Sequence, residues 1–178
     1  MIKIFINMLT LFRILIGPII FLLLISSDKY LYVVILFFSA GLTDYFDGYL
    51  ARKYEATSDI GEILDPVADK ILITFALIGL SISLKSFFIG FFGAMIISRE
   101  IWVAALRDYN SRNHNTIATK VTFLAKLKTT LQLITITIYF TGLYFNSMLT
   151  IIIGDITLII SFLITWYTGA IYTYRTLN

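Results

Sequence analysis

The sequence predicts an all-α integral membrane protein with six transmembrane helices, and three observations carry that prediction. Of 178 residues, 58% are hydrophobic and the mean hydropathy is +0.88, too apolar for a soluble domain of this size. A helix that crosses a bilayer needs about 20 residues, so six spans use nearly the whole chain. The apolar runs are separated by short polar breaks, none long enough for a second domain, so residues 1–178 read as one membrane domain.

The first nine residues, MIKIFINML, are expected to form a short interfacial segment along the membrane surface. Lys3 precedes an apolar run without a small-residue cleavage site after it, so the segment leads into a retained span rather than a signal peptide. Span one is expected over residues 10–27, with Arg13 just inside it, placed to snorkel or to pair. Span two covers 30–53 and span three 61–84, where Pro66 falls in the first turns and its missing N–H costs little. Spans four, five and six cover 86–108, 119–144 and 148–174. Asp155, toward the opposite end of span six, reads as structural, and His114, in the polar loop after span four, as solvated.

Even numbers of crossings place the 2–3 loop, the 4–5 loop and both termini on one side. That side holds Lys3, Arg52, Lys53, Arg107, Arg112, Lys120 and Arg175, against Lys29 and Lys85 opposite. Basic loops face the cytoplasm, so the termini are expected there. The net charge of +3 is small and its basic residues form no run, which argues against a nucleic-acid partner. There is no cysteine, which excludes disulfides and thiol chemistry, and a single histidine gives no support to a zinc site.

Four aspartates stand beside the apolar runs, where a lone carboxylate is costly. Asp44 and Asp47 are spaced i, i+3, and Asp65 and Asp69 i, i+4, so each pair shares a helix face. A helix cap explains one aspartate at a helix start, not four in two pairs. Four convergent carboxylates cannot all stay ionised in a low dielectric without cations. Hard divalent ions, Mg²⁺ or Mn²⁺, take oxygen ligands and resolve the conflict. Two such ions are a common device for displacement at phosphorus.

Further charges lie at the same depth, counted from the helix ends: Arg99, Lys126 and Lys128. Together with the aspartates they predict a buried polar chamber open to the cytoplasm. Two readings compete for the cations. In one, Arg99 pairs with Glu100 or an aspartate and the lysines snorkel. In the other, Arg99, Arg107, Lys126 and Lys128 bind a phosphate on a substrate, since both residue types suit phosphate oxygens.

The run Asp44-x2-Asp47-Gly48-x2-Ala51-Arg52-x8-Gly61-x3-Asp65-x3-Asp69 resembles the signature of the CDP-alcohol phosphotransferases at every position. The likeness extends to NMLTLFRILIGP, GEILDPVADKILI, SREIWVAALRD and LAKLKTTLQ, so it covers most of the chain. One departure is visible: Asn7-Met8 stands where the common opening has a proline-asparagine step. The resemblance implies a CDP-linked donor, an alcohol acceptor and release of CMP. It implies that Asp44, Asp47, Asp65 and Asp69 hold the metal ions, with Asp69 also the catalytic base. Gly48, Ala51 and Arg52 match the positions that bind the CDP-lipid, and Gly61 a position of close helix contact. The implied donor is CDP-diacylglycerol and the implied acceptor sn-glycerol 3-phosphate, whose phosphate would engage the four cations named above. Relatives with the same signature use serine, inositol phosphate or phosphatidylglycerol instead. The family commonly forms homodimers, and this resemblance places the chain in a bacterial inner membrane among membrane lipids. A carboxylate-lined cation carrier is the distant alternative, but a cation path has no need of Gly48-x2-Ala51-Arg52.

Overall fold

The computed structural model of the chain describes residues 2–26, 29–54, 59–113 and 123–177. They form six helices: α1 Ile2–Ile25, α2 Tyr30–Lys53, α3 Asp59–Ser83, α4 Phe87–Arg112, α5 Phe123–Tyr144 and α6 Met148–Leu177. Among the described residues there is no strand. Five helices carry a stretch long and apolar enough to cross a membrane: Ile6–Ile25, Tyr30–Gly48, Leu64–Ser83, Phe87–Arg112 and Met148–Leu177. The chain is therefore a multi-pass membrane protein.

α5 is the helix outside that set, and its polar residues explain why. Lys128, Gln132 and Thr135 recur at helical spacing and are buried against neighbouring helices. They lower the apolar content of α5 without facing its surroundings. The expected interfacial segment over residues 1–9 is not a separate element. α1 runs unbroken from Ile2, and neither glycine nor proline interrupts it before Gly17.

The helices are amphipathic in reverse. On α1, Leu11, Phe12, Leu15, Ile19 and Leu22 are exposed, whereas Ile6, Thr10, Arg13, Ile16, Ile20 and Leu24 form the buried stripe. On α6 the buried stripe is Gly154, Leu158, Ser161, Thr165, Thr168 and Gly169, and long aliphatic side chains point outward. Apolar surface gains little by leaving lipid, so small and hydrogen-bonding residues draw these helices together.

α1 packs against both α2 and α3, while α2 and α3 do not pack side by side among the described residues. A Cβ on Gly17 would stand 3.3 Å from Ile71 Cγ2 and 3.4 Å from the Ile71 carbonyl oxygen. A Cβ on Gly79 would stand 2.7 Å from Leu24 Cδ1 and 3.4 Å from Phe21 Cα, so α1 and α3 run parallel. α4 and α6 are also parallel, joined by Arg99–Thr168, Trp102–Thr173 and Asn110–Thr176 hydrogen bonds. α3–α4 and α5–α6 are tight hairpins of one design. Lys85 and Asn146 take left-handed backbone, with φ of 48° and 50°. Ser86 and Ser147 follow, each bonding back to a carbonyl five residues earlier and offering its hydroxyl to the next helix. This connectivity gathers the signature aspartates and the C-terminal half of α4 at one end of the bundle.

Candidate active site

The four aspartates reach the site from two helices, but a third joins them. Arg13 of α1 is fully buried and its Nη1 donates to Asp44 Oδ1 at 2.6 Å and Asp69 Oδ1 at 2.9 Å. Its Nη2 pairs with Asp47 Oδ2. One turn earlier, the Thr10 hydroxyl donates to Asp65 Oδ1 at 2.8 Å. The two aspartate-bearing helices thus meet across α1. Asp47 is buried, while Asp44 and Asp69 keep about half of their side-chain surface open, 52% and 40%. Gly48 lies half-buried beside Asp47 on α2.

The donor set decides which ion suits this cluster. It is all oxygen and has four carboxylates to one guanidinium, an excess of negative charge at the membrane end of α2 and α3. That chemistry fits a hard divalent cation. Among the described residues no three carboxylates close on one point as an ion would require, because the Arg13 guanidinium lies between them.

Next to the cluster, α3, α4, α5 and α6 enclose a cavity of about 760 Å³. Its lining includes Asp69, Lys70, Arg99, Glu100, Arg107, Lys128, Tyr172 and Arg175. Asp69 is the one signature aspartate on this wall. The cations divide into two groups. Arg99 donates to Glu100 Oε1 at 3.1 Å and to Thr168 Oγ1 at 2.7 Å, and Lys128 pairs with the same Glu100 oxygen. Gly169 makes room for Arg99, since a Cβ there would stand 2.6 Å from Arg99 Nε. Lys70, Arg107 and Arg175 have no ion pair among the described residues. The buried hydroxyl of Tyr172 also has no partner there.

The structure therefore brings Asp44, Asp47, Asp65 and Asp69 together, and puts Arg99, Arg107 and Lys128 on one cavity wall. Arg99 and Lys128 are already engaged by Glu100, as the pairing reading expected for Arg99. The side chains of Ala51, Arg52 and Lys126 lie outside the described residues, as do Lys120 and His114. Sequence reasoning missed the clamp made by Thr10 and Arg13, and the cavity cations Lys70 and Arg175. The signal for Thr10, Arg13 and Lys70 was a polar residue beside an apolar run near the aspartates.

The profile of the CDP-alcohol phosphatidyltransferase family matches residues 4–169. Three relatives carry the name CDP-diacylglycerol–glycerol-3-phosphate 3-phosphatidyltransferase. The one from Wigglesworthia glossinidia brevipalpis is 38% identical over 93% of this chain and 91% of its own. The Haemophilus influenzae relative is 39% identical over 71% of this chain and 69% of its own. The Escherichia coli K12 relative is 33% identical over 72% and 71%.

Proposed function

The chain belongs to the CDP-alcohol phosphatidyltransferase family, and we propose from that premise that it transfers a phosphatidyl group from CDP-diacylglycerol to sn-glycerol 3-phosphate. The products are phosphatidylglycerol phosphate and CMP, which makes the chain a transferase of phospholipid biosynthesis. The observation that carries the site assignment is the place of Asp69. It belongs to the aspartate cluster through Arg13, and it also lines the cationic cavity.

The acceptor enters the cavity with its phosphate toward Lys70, Arg107 and Arg175, the lining cations without an ion pair among the described residues. Arg99 and Lys128 shape the wall through Glu100, and Lys126 stands on the first turn of α5 nearby in sequence. Asp69 takes the proton from the acceptor's 1-hydroxyl as that oxygen attacks the donor's lipid-side phosphorus. The bond from phosphorus to the CMP oxygen breaks, and CMP leaves. Gly48, Ala51 and Arg52, on the last turns of α2, are assigned to the CDP moiety. Asp44, Asp47, Asp65 and Asp69 would hold two Mg²⁺ or Mn²⁺ ions, which supply neutralisation of the pyrophosphate and an in-line arrangement. α5 is read as the sixth span, so both termini and the cavity mouth face the cytoplasm of a bacterial inner membrane. That orientation rests on the basic residues at this end. Assembly as a homodimer rests on the family resemblance.

The test is CMP release by purified protein in detergent with CDP-diacylglycerol and Mg²⁺. sn-Glycerol 3-phosphate, serine, inositol 3-phosphate and phosphatidylglycerol are compared as acceptors. Release with sn-glycerol 3-phosphate alone is the expected result. Release with another acceptor alone overturns the acceptor assignment, and cation flux without CDP-lipid consumption overturns the reaction.

A further inference from the structure

The aspartate cluster is bound together by a helix that carries none of its members. Among the described residues α2 and α3 do not pack side by side, and α1 packs against both. The contact of Gly17 with Ile71 seats α1 closely against α3. Thr10 and Arg13, spaced i, i+3, share the buried stripe of α1, and both are fully buried. Between them they bond all four aspartates: Thr10 takes Asp65, and Arg13 takes Asp44, Asp47 and Asp69. The remaining guanidinium nitrogen, Nε, has no hydrogen-bond partner among the described residues. The carboxylates are thus the groups that hold this guanidinium in place.

We propose that Thr10 and Arg13 are positioning residues for the aspartate cluster, and that the Arg13 guanidinium is a resident counter-charge which an entering divalent cation displaces. The proposal rests on reading the aspartates as metal ligands. Three carboxylates brought together without a cation repel one another, and a buried forked guanidinium cancels that repulsion. It does so by occupying the oxygens a metal ion needs. Thr10 bears no charge and orients Asp65 without competing. The two residues therefore have opposite effects on cation affinity: Thr10 raises it by orientation, and Arg13 lowers it by occupation.

The measurement is Mn²⁺ affinity, from the electron paramagnetic resonance signal of free Mn²⁺, beside the unfolding midpoint of the metal-free protein. Wild type, Arg13→Gln, Arg13→Lys and Thr10→Val are compared in detergent. Arg13→Gln is expected to lower the metal-free midpoint by several degrees and yet bind Mn²⁺ about tenfold more tightly. Arg13→Lys keeps the charge but loses the fork, so a gain of about threefold is expected. It carries the test if Arg13→Gln does not fold. Thr10→Val is expected to weaken binding by about threefold. A merely structural clamp would weaken Mn²⁺ binding in all three variants, and that result overturns the proposal. Unchanged affinity in both folded Arg13 variants overturns it too. If wild type itself binds no Mn²⁺, the metal reading of the aspartates falls and the proposal with it.

Discussion

At the aspartate cluster one guanidinium stands among four carboxylates and pairs with three of them, whereas in the neighbouring cavity Glu100, with Asp69 at the edge, sits among five cations of the described residues. The two regions lie at the same end of the bundle and share α3, which gives Asp65 and Asp69 to the first and Lys70 to the second. Each is held in shape by its minority charge: Arg13 bonds three aspartates, and Glu100 bonds Arg99 and Lys128. Each is left with an excess of the majority charge. The first is suited to cations and the second to an anion. A reaction between a cation-bound pyrophosphate and a phosphorylated alcohol needs both, side by side, with a base at the boundary. Asp69 stands at that boundary.

The comparison breaks first at Asp69. Asp69→Asn removes the proposed proton acceptor and one proposed metal ligand, and CMP release should fall by about a thousandfold. A fall of less than tenfold would mean the two regions do not meet there. Glu100→Gln attacks the minority charge of the cavity. It leaves Lys128 and Arg99 without their shared anion in a largely buried place, and stability should drop by about 3 kcal/mol. Denaturant unfolding in detergent measures this, and an unchanged midpoint would show that Glu100 does not organise the wall. The unpaired cations give a smaller effect. Arg107→Gln and Arg175→Gln should each raise KM for sn-glycerol 3-phosphate about tenfold, the loss of one charge-assisted contact. Mn²⁺ affinity should stay unchanged in both, which sharpens the division between the regions. Tyr139→Phe is the control at the other end of the bundle. The Tyr139 hydroxyl donates to Asp155 at 2.7 Å, and its removal should cost about 1 kcal/mol of stability without changing turnover.

The aspartates were legible because spacing alone puts each pair on one helix face and a carboxylate stands out in an apolar run. The helices were legible from the apolar runs, with boundaries close to those observed except at the start of α1, which begins at Ile2 and not near residue 10. α1 was read less well. Arg13 near the start of a span was expected to snorkel or to pair, and it pairs, but the sequence does not say which helices lie on either side of it. Lys70 was hidden by its place directly after Asp69, where the signature draws attention to the carboxylate. Arg175 was read as the end of span six, but α6 continues to Leu177 and carries that side chain onto the cavity wall. The division of the cations was also beyond the sequence. Arg99 and Glu100 are adjacent in the chain, but Lys128 joins them only through the packing of α5.

The central claim is that Asp69 acts on the reacting hydroxyl while the unpaired cations hold the acceptor's phosphate. The direct measurement is kcat and KM for sn-glycerol 3-phosphate, taken separately for Asp69→Asn and Arg175→Gln at saturating CDP-diacylglycerol. The account predicts a collapse of kcat with KM nearly unchanged in the first, and a raised KM with kcat kept in the second. A raised KM with kcat kept in Asp69→Asn, or a lost kcat with KM unchanged in Arg175→Gln, would contradict it.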